Sequence, residues 1–163
     1  MRRIIFGELG GLPTPRSHRI GHIFTTAGVD TVLSNNILGA LWSKFCFICG
    51  MSGVTTLTRR SVGPILEDEE ARLLLRIVVE EARAVAVAQG VRFDTDPVEA
   101  GVATFARFAP EAKSSMQRDL ERGGRLEVEA LNGAVVRLGR ALGISTPANQ
   151  AIYAALRLIQ PTT

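Results

Sequence analysis

From Ile37 to Leu57 the chain reads ILGALWSKFCFICGMSGVTTL, 21 residues carrying one charge, Lys44. A run that long and apolar has two homes, a lipid bilayer or the interior of a protein. The central lysine, the glycines and the clustered Ser and Thr weigh against a bilayer, where a mid-span ammonium is costly. The run therefore predicts a buried helix followed by a second apolar segment, with Gly50 as the punctuation. The chain of 163 residues is 46% apolar, enough to build a core around such a helix.

The first thirty-odd residues differ in kind from the rest. RRIIFGE is β-like and ends in a Gly-Gly-Leu-Pro turn, SHRIGHIFTTAGV is helical with Ser17 as its cap, and TVLSNN is β-like again. From Ile37 onward the pattern is helical, punctuated at Gly63-Pro64, Gly90, Pro97, Pro110, Gly123-Gly124, Gly143 and Pro147. The expected organisation is thus a strand-helix-strand unit over 1–35 and a helical domain over 36–163.

Two helices place side chains. One carries Leu74, Val78, Val85 and Ala88 on a single face, with Glu81 on the same stripe. The other carries Leu131, Val135, Leu138 and Leu142, with Glu127 one turn ahead, where the helix dipole favours a carboxylate. Thr146 and Pro147 open a last helix.

Lys44 lies between Trp42 and Phe45 with no other charge until Arg59. An ammonium there needs a carboxylate partner or a polar cleft, unless its stem carries the head out to solvent. Glu81 and Glu127 are the candidate partners. A lysine held in an apolar cleft can serve as a general acid. In SSMQ, Ser114 reads as a helix cap with Gln117 reaching back, which leaves Ser115 free for a ligand.

Other classes fit poorly. The charge of +3 is scattered, with only Arg2-Arg3 and Arg59-Arg60 adjoining, so no nucleic-acid partner is expected. Cys46 and Cys49 form a C-x-x-C without a second ligand pair, and at helical spacing they read as buried structural thiols rather than a metal site. The apolar start MRRIIF is cut short by Glu8, so neither a leader nor a membrane span is expected, and free thiols point to a cytoplasmic protein.

LWSKF, EEARAVAVAQGV, SSMQRDLERGGRLEVEALNGAVVRLG and GISTPANQAIYAAL together resemble, in order and spacing, the C-terminal half of the ketopantoate reductases (2-dehydropantoate 2-reductases). The most specific part is Ser-Ser-Met, with a glutamate twelve residues after the second serine and Asn-Gly five beyond it. The resemblance implies a mainly α fold: a helical domain like the C-terminal domain of 6-phosphogluconate dehydrogenase, preceded by a remnant of a Rossmann domain. It implies NADPH as the cofactor of the intact family and a small 2-keto acid as substrate. It also implies Lys44 as the general acid, Ser115 as a contact to the substrate carboxylate and Glu127 as the group that holds the substrate hydroxyl.

Two positions depart from the pantoate-making pattern, Ile48 and Val62 standing where asparagines are expected. No G-x-G-x-x-G occurs, so no cofactor is expected to bind this chain alone. The leading expectation is a substrate-binding half that is inert by itself and pairs as a homodimer through its exposed strands. The alternative is a non-enzymatic small-acid-binding or interaction domain.

Overall fold

In the computed structural model, which describes residues 3–159, the apolar run is one continuous helix, α2 (Ile37–Thr58). Met1, Arg2 of the Arg2-Arg3 pair, and residues 160–163 lie outside the described residues. Gly50 does not divide α2 as its sequence suggests. Its role is close approach: a Cβ at Gly50 would stand 2.6 Å from Val79 Cγ2. Without a side chain there, α2 lies directly against α4 (Glu69–Ala88). Among the described residues α2 alone is long and apolar enough to cross a membrane, and half of that stretch is buried within the fold.

Further helices pack around α2 and α4. They are α3 (Val62–Glu67), α5 (Pro97–Phe105), α6 (Ser115–Glu121), α7 (Asn132–Leu142) and α8 (Pro147–Ile159), with a single 3-10 turn at Glu127–Glu129 leading into α7. One core cluster joins Met51, Val54, Ile65, Val78, Phe105, Met116, Val128, Ile152 and Leu156. A second joins Cys46 and Cys49 to Val79, Ala82, Val85 and Val135. The cysteines are thus free, fully buried thiols, and burial pushes Cys46 up to about 12.

The buried face of α4 is Leu75, Val78, Val79, Ala82, Val85 and Ala86, rotated slightly from the expected stripe. Leu75 rather than Leu74 meets Gly50, and Ala88, in the last turn beyond the packing, is exposed. On α7, Val135 is buried as expected, whereas Leu142 at its end is 40% exposed.

Ahead of α2, β1 (Arg3–Phe6) and β2 (Asp30–Leu33) pair in parallel, Arg3 opposite Asp30 and Phe6 opposite Leu33. Parallel strands need a crossover, which α1 (Pro15–Thr26) supplies. The cap of α1 is Thr14, not Ser17: Thr14 Oγ1 accepts from the Ser17 amide at 3.2 Å, and Ser17 Oγ accepts from the Thr14 amide at 2.7 Å. Pro15 at the first helical position fixes the start one turn earlier than the sequence suggested. The observed fold is mainly α with one short strand pair.

Candidate functional site

Ser114 is the N-cap of α6. Its Oγ accepts from the Gln117 amide at 3.1 Å and shares a 2.7 Å hydrogen bond with Thr55 Oγ1 on α2. The cap therefore also ties α6 to the central helix. Gln117 does not reach back to complete a capping box; its side-chain amide turns forward to Glu121 at 3.3 Å. With Ser114 committed, Ser115 is exposed and lines a cavity of about 400 Å³ together with Glu127.

That cavity has two kinds of wall. Ile48, Met51, Phe108 and Ala112 are apolar, while Ser52, Ser115, Lys113, Arg118 and Glu127 bring polar groups. Lys113 pairs with Glu121 at 2.7 Å, and the hydrogen bond from Lys113 holds the Glu121 carboxyl below its usual range. Arg118 donates to the Lys113 carbonyl at 2.8 Å. Glu127, exposed at the head of the 3-10 turn, has no ion pair among the described residues. A cavity of this size with a few convergent polar groups has the form of a small-molecule site.

Lys44 lies on α2 one helical turn before Ile48 and two before Ser52, on the same face. Its side chain is exposed and lines an adjoining cleft with Ser43, Phe47, Pro97, Ala100, Gly101 and Thr104. Cleft and cavity meet across a stacked pair, Phe47 on Phe108, with ring centroids 6.0 Å apart and planes 19° apart. Ser115, Glu127 and Ile48 are thus brought together, with Lys44 a turn away. Val62, by contrast, is fully buried in the core and lines no part of this cavity.

Glu81 is not the partner of Lys44. Its carboxylate is buried and accepts from the Ala148 amide at 2.8 Å, the Asn149 amide at 2.9 Å and Asn149 Nδ2 at 2.8 Å. The charge on the core face of α4 is satisfied by the N-terminus of α8, whose free N–H groups and dipole favour an anion. Asn149 Oδ1 in turn accepts from Asn132 Nδ2 at 2.9 Å, and Asn132 Nδ2 reaches the Cys49 carbonyl at 3.3 Å. The Asn-Gly at 132–133 is therefore a buried link joining α7 to α2, α4 and α8, and it lies outside the cavity.

Sequence reasoning missed Ser52, Lys113 and Arg118. Ser52 was legible as the residue eight beyond Lys44, and Arg118 as the residue three beyond Ser115 on one helix face. Two other hollows carry less chemistry. The larger, about 600 Å³ between the strand unit and the helices, contains Asn36, whose amide is satisfied by the Arg92 carbonyl and Asp94. A groove of about 280 Å³ lined by Leu41, Trp42, Phe45, Ala134 and Leu138 is wholly apolar.

A dinucleotide pyrophosphate needs glycines for close approach and a helix N-terminus with free N–H groups. Two strand-loop-helix units occur among the described residues: at β2–α2 the Asn36 side chain caps the helix, its Oδ1 accepting from the Gly39 amide at 3.1 Å, and at β1–α1 the Thr14–Ser17 box fills the helix end. Glu8 adds a carboxylate at that end, accepting from Thr14 Oγ1 at 2.5 Å and pairing with Arg16 at 2.6 Å. The Thr14 hydroxyl and then Arg16 hold Glu8 below the usual carboxylate range, so it is anionic at neutral pH. These residues do not fit a nicotinamide dinucleotide.

Residues 36–160 match the family described as ketopantoate reductase PanE/ApbA C terminal. The crystal structure of a PanE/ApbA family ketopantoate reductase from Ralstonia eutropha JMP134 superposes with a TM-score of 0.84 at 36% identity, covering 97% of this chain and 51% of that one. A dimeric ketopantoate reductase from Staphylococcus aureus superposes with a TM-score of 0.82 at 29% identity, covering 91% of this chain and 51% of that one. An uncharacterized oxidoreductase, YkpB of Bacillus subtilis, is 30% identical over 97% of this chain and 52% of its own length. The chain spans about half the length of the relatives it matches. With matched residues running through α2 to α8 and the same helical arrangement, the chain belongs to the ketopantoate reductase family and corresponds to its C-terminal domain.

Proposed function

We propose that this chain is the substrate-binding half of an NADPH-dependent oxidoreductase that reduces a small 2-keto acid. The observation that carries the reading is the convergence of Ser115 and Glu127 on one cavity whose wall is the same α2 face that carries Lys44. In it, Ser115 donates a hydrogen bond to the substrate carboxylate. Glu127 holds the hydroxyl of the reduced product. Lys44 leans along α2 and gives its proton to the keto oxygen as negative charge develops there. NADPH is held by residues other than those described, so the isolated chain binds it negligibly and is inactive as a reductase.

The test is an amide NMR titration of the labelled chain with a simple 2-keto acid. Shifts should cluster at Ser52, Ser115, Arg118 and Glu127, and Ser115→Ala should weaken them. A saturating acid that leaves these amides unmoved overturns the reading.

A second reading, a small-acid-binding domain without reductase chemistry, is favoured by the place of Lys44 outside the cavity lining. It predicts that Lys44→Ala leaves acid binding unchanged, whereas the leading reading predicts weakened binding. We further propose a cytoplasmic homodimer. Its supports are the free thiols, the exposed strand pair and the dimeric relative.

A further inference from the structure

Resting on the 2-keto acid reading, we infer that the cavity selects acids whose carbon substituent is apolar and bulky, branched aliphatic or aromatic, over hydroxylated ones, with Ile48 as the selecting residue. Ile48 follows Lys44 by one turn, about 6 Å along the helix axis, so its side chain meets the part of a substrate nearest the reacting carbon. Around it stand Met51, Phe108 and Ala112, none with a hydrogen-bonding group suited to a hydroxyl. The flat ring of Phe108 is itself fixed by its stack on Phe47.

Apart from Ser52 on α2 and Lys113 beside Ala112, the polar groups of the cavity come from other segments than this wall. Ser115 and Arg118 are on α6, Glu127 heads the 3-10 turn, Lys113 before α6 is paired with Glu121, and Ser52 is a further turn along α2 from Ile48. An acid with its carboxylate at Ser115 and its keto oxygen toward Lys44 therefore lays its substituent on Ile48. A hydroxyl on the part of that substituent held against Ile48, Met51 and Phe108 loses water and finds no side-chain partner there, which costs affinity rather than adding it. A methyl or phenyl group there displaces poorly held water from apolar surface.

A matched pair tests this. Ketopantoate and trimethylpyruvate differ by one hydroxyl on the substituent, and both are titrated into the intact chain by NMR, with phenylglyoxylate as the aromatic arm. Trimethylpyruvate is expected to bind about 10- to 100-fold more tightly than ketopantoate, the range an apolar pocket achieves against an added hydroxyl. Ile48→Asn, checked for folding by circular dichroism, should shrink or reverse that ratio. Equal affinities, or tighter ketopantoate binding, overturn the selectivity while leaving the 2-keto acid reading standing. Failure of all three acids to shift the cavity amides overturns that reading and the selectivity with it. The wild-type ratio decides the matter even where Ile48→Asn does not fold.

Discussion

Glu81 on α4 accepts two hydrogen bonds from Asn149 on α8, one from its backbone amide at 2.9 Å and one from its side chain at 2.8 Å. The carboxylate thereby serves as the anchor of α8, and its removal takes the acceptor from the Ala148 amide and the buried Asn149 amide. Glu81→Ala should destabilise the chain by about 3 kcal/mol, the usual scale for breaking a buried charged network. Glu81→Gln, which keeps one acceptor, should cost less. Urea unfolding at neutral pH measures both, and an unchanged midpoint for Glu81→Ala would show that α8 is held by packing alone.

The paired serines separate structure from binding. Ser114 caps α6 and holds Thr55, so Ser114→Ala should lose about 1–2 kcal/mol of stability. Ser115 makes no such contact, so Ser115→Ala should melt with the parent while binding a 2-keto acid about tenfold more weakly. The two variants behaving alike in both assays would remove the distinction.

Much of this arrangement was legible before the structure, and the failures share a cause. Pro97, Gly143 and Pro147 mark element ends because their backbone demands are local. Gly50 misled because a glycine that breaks a helix and one that admits a neighbouring helix look the same in sequence; only Val79 distinguishes them. Glu81 misled for a similar reason. A buried carboxylate announces that it needs a partner, but its partners here are two backbone N–H groups and the neutral Asn149 amide, 67 and 68 residues away, with no opposite charge to mark them. In sequence the cap at Ser114 leaves Ser115 free, Glu127 stands one turn ahead of an apolar stripe and Ile48 enters only through the family resemblance, whereas Lys113 joins them only through the turn that precedes α6.

The buried thiols set an alkaline limit. Up to about pH 8.5, the ordinary thiol value, folded and unfolded chains both hold these protons. Above it the unfolded chain releases them while folded Cys46, pushed up to about 12 by burial, keeps its own, so stability falls as pH rises through that window. Cys49, also raised by burial, acts in the same direction. Melting temperature should decline between pH 8.5 and 11, less steeply in a Cys46→Ala, Cys49→Ala variant. Iodoacetamide should modify neither thiol in the native chain and both in urea. Rapid native alkylation would show that the cluster opens locally.

The last prediction concerns the strand pair. β1 and β2 hydrogen-bond only to each other among the described residues, so each keeps an outer edge of unpaired N–H and C=O groups. One face is partly covered by α1, where Phe24 meets Phe6 edge to face at 6.0 Å. Ile5 remains 49% exposed and Val32 40% exposed. A two-stranded ribbon with apolar side chains and free edges is marginal in water and readily templates another strand. The same edge of a second copy, brought in antiparallel about a two-fold axis, pairs one of those edges and joins the apolar faces of Ile5 and Val32 into one continuous surface. Sedimentation at micromolar concentration should therefore show a dimer, and a lysine at position 5 or 32 (Ile5→Lys or Val32→Lys) should return it toward monomer with the helical core intact. A strict monomer for the parent chain overturns the pairing. A dimer that withstands both substitutions does so as well, and assigns self-association to the apolar groove of Leu41, Trp42, Phe45 and Leu138 between α2 and α7.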